Sequence, residues 1–263
     1  MNRIIKDNYN EIMYKYRDLR TNIIKENLSI DNIEQNKTTK IAIIVPYRNN
    51  IYQDRATQLT NFMEYYHNYI DNIDIYIIEQ SDDGKKFNRG CLLNCGFEIA
   101  KKENKYDMFI FHDVDLISPV ELKNIYTYIS PLPIHIASLW KEKYNQKQYF
   151  GGISSFSADI YEKINGYPNN FYGWGGENDA VYNRLVLNNM KIYELETSKN
   201  IEIKEMEYKK TTEISEFIGN YIKHVLFKDM LKWNENGLSN LSYIINNITN
   251  TKYNNIKKYN LEI

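Results

Sequence analysis

Residues 107–115 read DMFIFHDVD. The apolar run from Met108 to Phe111 has the length of one buried strand, and it ends on acid–apolar–acid. Upstream, Asn88 to Lys102 carries Leu92, Leu93, Gly96, Phe97 and Ala100 at helical spacing. Before that, Asp74 to Glu79 (DIYIIE) is a second strand pattern. A further helix has Leu59, Phe62, Met63, Tyr66 and Ile70 on one face, and Lys40 to Val45 (KIAIIV) is the first strand. This β-α-β-α-β order predicts an α/β fold with a parallel, right-handed, Rossmann-like half. Ligands of such sheets sit beyond the carboxyl ends of the strands. Those ends carry Pro46-Tyr47-Arg48, Gln80 to Asp83, and Asp113-Val114-Asp115.

The second half reads as mixed. Ile134 to Leu139 and Tyr149 to Phe156 are strand-like, and Glu177 to Asn188 is helical. Ile214 to Leu231 is an amphipathic helix through Phe217, Ile218, Tyr221, Ile222, Val225 and Leu226. Ser242 to Ile248 and Ile256 to Ile263 are late strands. Residues 3–27 repeat apolar side chains near 3.6, which predicts a helix that docks on the domain or mediates self-association. Ser29 to Thr39 reads as a linker. The expected division is an N-terminal segment, 1–38, and one domain, 39–263, with a nucleotide-binding half (39–118) and an acceptor half (119–263).

Composition narrows the class. The chain has 263 residues, is 43% hydrophobic and contains 24 Tyr and 10 Phe, enough for a packed core. A net charge of −1 gives no electrostatic case for nucleic acid. No apolar run is long enough to span a membrane, and the charged start MNRIIKDNYN does not fit a signal peptide. A cytoplasmic or otherwise non-secretory setting is the expectation. Cys91 and Cys95 have no second pair or nearby histidine, so buried thiols are expected and zinc is not.

Candidate chemistry gathers in three places. Asp113 and Asp115, on one side of a strand by alternation, suit a hard divalent cation that bridges phosphates. Arg48, Arg55 and Arg89 stand near strand-to-helix turns, where a guanidinium forks onto a diphosphate, and Phe87 can stack on a base. His112, beside the acids, reads as a packed strand-end residue. The third place is the glycine- and aromatic-rich stretch from Tyr149 to Leu185. It holds Trp174 and empties Glu177 and Asp179 onto a helix N-terminus. Aromatic faces suit sugar rings, and carboxylates accept hydroxyl protons. The plain alternatives are surface salt bridges for the arginines and dipole-complementing acids at a helix start.

VPYRNN, FNRGCLLNCGF, FIFHDVDLI, YFGGISSFS and INGYPNNFYGWGGENDAVYNRL together resemble, in order and spacing, the motifs of the beta-1,4-galactosyltransferases. A weaker likeness lies at Asn236 to Tyr243, and the whole runs from about Ile41 to Asn246. The resemblance implies a GT-A fold, with a mixed central sheet. It implies an inverting transfer of a hexose from a UDP-sugar to a glycan hydroxyl, usually with Mn²⁺, galactose being favoured and glucose, N-acetylglucosamine or N-acetylgalactosamine the alternatives. Pro46, Tyr47, Arg48, Phe87, Arg89, Asp113, Val114, Asp115 and Trp174 match donor-side positions, and Asp115 matches the metal ligand. Tyr149, Gly152, Phe171, Tyr172, Gly175 and Glu177 match the acceptor side.

The chain departs from the family pattern at three points. The family reads GWGGEDD, with the first Asp as general base, and here that position is Asn178. The base is then Asp179 or Glu177, or the chain is a catalytically silent binding module. The family's MxxH-like metal segment is here IEIKEMEYKK, which leaves Glu207 or Met206 as substitutes. The second arginine of PFRNR is here Asn50, with Arg55 as its stand-in after a short insertion.

Overall fold

The computed structural model describes residues 25–140, 150–173, 175–206 and 216–263. Its strands are β1 (Lys25–Ser29), β2 (Ile41–Tyr47), β3 (Ile73–Gln80), β4 (Met108–His112), β5 (Leu116–Ile117), β6 (Ile134–His135), β7 (Ile153–Phe156), β8 (Ile192–Glu196), β9 (Lys204–Glu205), β10 (Ile244–Asn250) and β11 (Ile256–Glu262). Its helices are α1 (Arg55–Tyr66), α2 (Arg89–Glu103), α3 (Lys123–Tyr126), α4 (Ala158–Lys163), α5 (Glu177–Leu187) and α6 (Glu216–Leu231).

Nine of these strands form one sheet, in the order β1-β8-β6-β7-β4-β2-β3-β11-β10. The block β4-β2-β3-β11 is parallel. Beyond it, β7 runs antiparallel to β4, and β10 antiparallel to β11. The expected parallel half with its mixed continuation is therefore present. Every residue of β2 is buried, as a strand covered on both faces requires. Ile41, Ile43 and Val45 face one core with Leu59, Phe62 and Tyr66 of α1. Ala42 and Ile44 face the other, with Leu92, Leu93 and Phe97 of α2. Each fully buried side chain of this size contributes about 1.5–3 kcal/mol. Gly96 is the contact point of α2 with the sheet: a Cβ there would lie 2.3 Å from Ile44 Cγ2.

Several boundaries move. The predicted helix over 3–27 lies mostly outside the described residues, and its last three residues instead open β1, which pairs parallel with β8. β1 (KENLS) and β8 (IYELE) are short and carry charged residues, so neither announces itself by alternation. The predicted strand at Ile134 to Leu139 keeps only two strand residues before a 3₁₀ turn over Ile136–Leu139. Of the strand predicted over Tyr149 to Phe156, the described part from Phe150 keeps Ile153–Phe156 as strand. The thiols of Cys91 and Cys95 are free and buried. No helix among the described residues is long and apolar enough to cross a membrane.

Two buried polar groups, one in each half, brace the fold. Arg184, fully buried on α5, bonds both carboxylate oxygens of Asp229 at 2.7 and 3.2 Å. It also donates to the carbonyls of Asn165, Gly166 and Asn236 at 3.0, 2.7 and 2.5 Å. His112 packs as expected: Nδ1 donates to the Asp113 carbonyl at 2.8 Å, leaving Nε2 as acceptor between the hydroxyls of Tyr66 and Tyr126.

Two outcomes follow. Arg184→Leu leaves Asp229 charged and buried, so urea unfolding should show a loss of about 3–5 kcal/mol. Burial also lowers His112 to about 4 and His135 to about 3. Depressed histidines lend stability that is complete above the unfolded value, near pH 6.5, and is lost as pH falls towards the folded values. The urea midpoint should be flat above pH 7 and fall between pH 6.5 and 4. His135→Gln, with no proton to take up, should make that fall shallower.

Candidate active site

The carboxyl ends of β2, β3 and β4 share one edge because the strands are parallel. Pro46 sits in β2 beyond Ile44, where pairing with β4 stops, so its missing N–H breaks no ladder there. Tyr47 is buried, and its hydroxyl is pushed up to about 12, chiefly by burial. Arg48 donates to the Lys85 carbonyl at 2.6 Å, with Asp82 at 3.5 Å, clipping β2 to the loop after β3. Phe87 is half-buried in that loop, and its carbonyl accepts from Gly173 N at 2.7 Å.

The reading of Asp113 and Asp115 needs correction. Strand alternation stops at His112, and residues 113–116 form a turn closed by Leu116 N to the Asp113 carbonyl. The two acids therefore serve different arginines. Asp113 Oδ1 accepts from Arg89 Nε at 2.6 Å. Asp115 Oδ2 accepts from Arg55 Nη1 at 2.7 Å. Val114 between them is buried.

Arg89 is the hub. It opens α2, whose N-cap Asn88 accepts from Cys91 N at 3.0 Å. Beyond Asp113, its Nη1 donates to Asn178 Oδ1 at 2.9 Å and lies 3.7 Å from Glu177 Oε1. Its Cζ stands 5.6 Å from the centre of the Tyr167 ring. Burial works against the Arg89 charge, but Asp113, Tyr167 and Glu177 more than offset it and hold its proton well above the usual range. For Glu177 the balance goes the other way. Burial raises its carboxyl above the ordinary value, Arg89 pulls it back, and Asp113 and Asp179 add to the rise. Asp179 is half-buried in the first turn of α5.

Glu177 begins α5 behind Gly176, whose φ is +97° and whose Cβ, if present, would lie 2.7 Å from Phe171 Cε1. That conformation and approach need glycine. Gly173 and Gly175 also have positive φ, and Tyr172 is exposed at the same turn. Phe171 instead faces inward, packed with Ala180 and Val225. Gly152, at φ +77°, accepts from Asp113 N at 2.9 Å and so ties β7 to the acidic turn. Tyr149, Trp174 and Glu207 lie outside the described residues.

Among the described residues no three His, Cys, Asp or Glu side chains group to hold a metal ion. Asp115 still fits as one ligand. Its carboxylate already attracts a cation, the Arg55 guanidinium, and its carbonyl accepts from Met206 N at 2.7 Å. That bond, with the β5–β9 pairing, brings the residues just before Glu207 alongside Asp115.

Sequence reasoning missed the groups that hold the loop between α4 and α5. Asn94 of α2 accepts from Tyr167 N at 2.9 Å and donates to the Tyr167 carbonyl at 2.7 Å and to Asn169 Oδ1 at 2.8 Å. Arg184 grips the same loop one turn earlier. One asparagine and one arginine, each set inside a helical pattern, carry no local signal.

Comparison with known proteins is consistent with this geometry. A sequence model of the N-terminal region of glycosyl transferase group 7 matches residues 9–128, and one described as the N-terminal domain of galactosyltransferase matches 133–210. Mouse beta-1,4-galactosyltransferase 1 is 42% identical over 161 residues, covering 58% of this chain and 38% of the relative. Beta-1,4-galactosyltransferase 4 of Cricetulus griseus is 39% identical over 162 residues, 58% of this chain and 44% of that protein. The match thus spans about two fifths of the length of these relatives. Among solved structures, a mutant of Drosophila beta-1,4-galactosyltransferase 7 in complex with manganese, UDP-Gal and xylobiose superposes with a TM-score of 0.68. It is 25% identical, and the match covers 86% of this chain and 94% of that one. The catalytic domain of the same Drosophila protein with xylobiose gives 0.69 at 24% identity, which supports the GT-A fold. With two adjoining family models taking in most of its length, the chain belongs to the group 7 glycosyl transferases, the galactosyltransferase family that those models describe.

Proposed function

We propose that the chain is an inverting hexosyltransferase that moves galactose from UDP-galactose to a hydroxyl of a glycan acceptor. The observation that carries this reading is Arg89, which joins the acidic turn after β4 to the first turn of α5. One guanidinium thereby sets the distance between a donor side and an acceptor side. The donor complex of the similar Drosophila structure, with manganese, UDP-Gal and xylobiose, supports the same assignment.

In this reading Arg48 and Arg55 face the diphosphate, Phe87 borders the base, and Tyr172 and Gly175 border the acceptor. Asp115 would hold a divalent cation together with Glu207. Bound there, the ion would supply positive charge to the departing diphosphate. The acceptor oxygen forms its bond to the anomeric carbon as the bond from that carbon to the diphosphate oxygen breaks. The hydroxyl proton passes to a carboxylate of the Glu177–Asp179 pair, because the Asn178 amide cannot take it. Burial raises the basicity of Glu177 and favours it as the acceptor of that proton. Asn178 then serves as a neutral anchor for Arg89, which already faces Asp113 and Glu177.

Release of UDP from UDP-galactose with a panel of glycan acceptors tests the activity. No release with any donor or acceptor would favour a silent binding module. Glu177→Gln should lower kcat about 10²-fold with KM for the donor little changed. Asp179→Asn should cost less, and full activity in both variants would remove the pair from the mechanism. Asn178→Asp adds a third carboxylate to the first turn of α5 and should raise turnover. A shifted donor preference instead would mark Asn178 as a sugar-selecting residue.

The pH profile gives an independent check. Activity should fall with acid along a limb centred above the ordinary carboxylate value, as Glu177 becomes protonated. Arg89→Gln removes the group that pulls Glu177 down, so its limb should move to higher pH. An unmoved limb would assign the proton to another group.

A further inference from the structure

Arg55 stands where a cation held by Asp115 would be. Its Nη1 is 2.7 Å from Asp115 Oδ2 and 2.8 Å from Gln58 Oε1, and its Nε is 3.3 Å from Gln53 Oε1. The side chains of Arg55 and Asp115 are only 20% and 13% exposed, so solvent screens their attraction weakly. Gln58, one turn along α1, is itself only 3% exposed. The guanidinium is thus placed by two neutral amide oxygens and spends one N–H on the carboxylate.

A guanidinium and a divalent ion draw on the same carboxylate oxygens, and they repel each other at that range. The two acids of the turn differ in this respect. Asp113 is bound by an arginine that is also fastened to Asn178 and set against Tyr167. Asp115 is bound by an arginine that Gln53 and Gln58 also hold, from its own side. Withdrawal from Asp115 therefore leaves Arg55 with hydrogen-bond partners, whereas withdrawal of Arg89 from Asp113 would disturb the first turn of α5.

We propose that Arg55 is the resting counter-ion of Asp115 and that a divalent cation enters this site by displacing it. The proposal rests on the reading of Asp115 as a metal ligand. Its consequence is a lowered apparent affinity for metal, because part of the intrinsic binding is spent on breaking an existing ion pair. The arginine released in this way stays within the same pocket, held by Gln53 and Gln58.

Titration of Mn²⁺ alone, followed by calorimetry and by electron paramagnetic resonance of the free ion, tests this in the absence of any donor. Arg55→Gln should bind Mn²⁺ about tenfold more tightly than the wild type, the order expected for losing one charge-assisted competitor. Arg55→Lys, which keeps the charge but not the fork, should fall between them and carries the test if the glutamine variant folds poorly. Thermal unfolding in chelator and in Mn²⁺ gives the second readout: the metal-induced rise in Tm should be larger in Arg55→Gln. Unchanged or weaker Mn²⁺ binding in both Arg55 variants, with binding lost in Asp115→Asn, would overturn the displacement while leaving Asp115 as the ligand. Wild-type affinity in Asp115→Asn would instead sink the metal assignment, and the displacement with it.

Discussion

A buried positive charge is tolerated only where its partners are fixed, and Arg89 is this molecule's instance. It is bonded to Asp113 at the end of the parallel block and to Asn178 in the first turn of α5, with Glu177 and the Tyr167 ring alongside. Removing any partner would leave a charge poorly solvated, so the acidic turn, the start of α2 and the start of α5 must keep their relative positions. Backbone bonds add to this from both sides: Asp113 N to the Gly152 carbonyl, and Gly173 N to the Phe87 carbonyl. The site is a small set of strand and helix ends tied through one guanidinium.

A second buried arginine does comparable work away from the chemistry. Arg184 closes on Asp229 of α6 and on three carbonyls, two from the turn at Asn165-Gly166 and one from Asn236. The loop that leads to Tyr172 and Gly176 is therefore braced at its origin by Arg184 and along its length by Asn94. Between these braced segments, Gly173, Gly175 and Gly176 take left-handed backbone angles that the lack of a Cβ allows.

The central strands were legible in the sequence because strands covered on both faces must be apolar throughout, as KIAIIV and DIYIIE are. Helix α2 was legible for a related reason: small and apolar residues recur where it meets the sheet. Strands β1 and β8 were not, because KENLS and IYELE lie at or near the edge with charged residues along them. The acids of DVD were found, but their geometry was misjudged, since alternation is a property of strands and these residues form a turn. The motifs brought together Arg48, Phe87, Arg89, Asp115, Asn178 and Glu177. They could not reveal Arg184 or Asn94, whose partners lie 45 and 73 residues away.

The order of the strands also governs how the chain must be assembled. β3 is flanked by β2, a near neighbour in sequence, and by β11, so that Asn260 lies beside Glu79 across 181 residues. A sheet with such a pairing has high contact order, and the entropy of closing so long a loop must be met before the contact rewards it. Until β11 docks, β3 presents an open row of N–H and C=O groups to any other strand in solution. Synthesis of this protein thus passes through a stage in which its early strands are complete and unprotected.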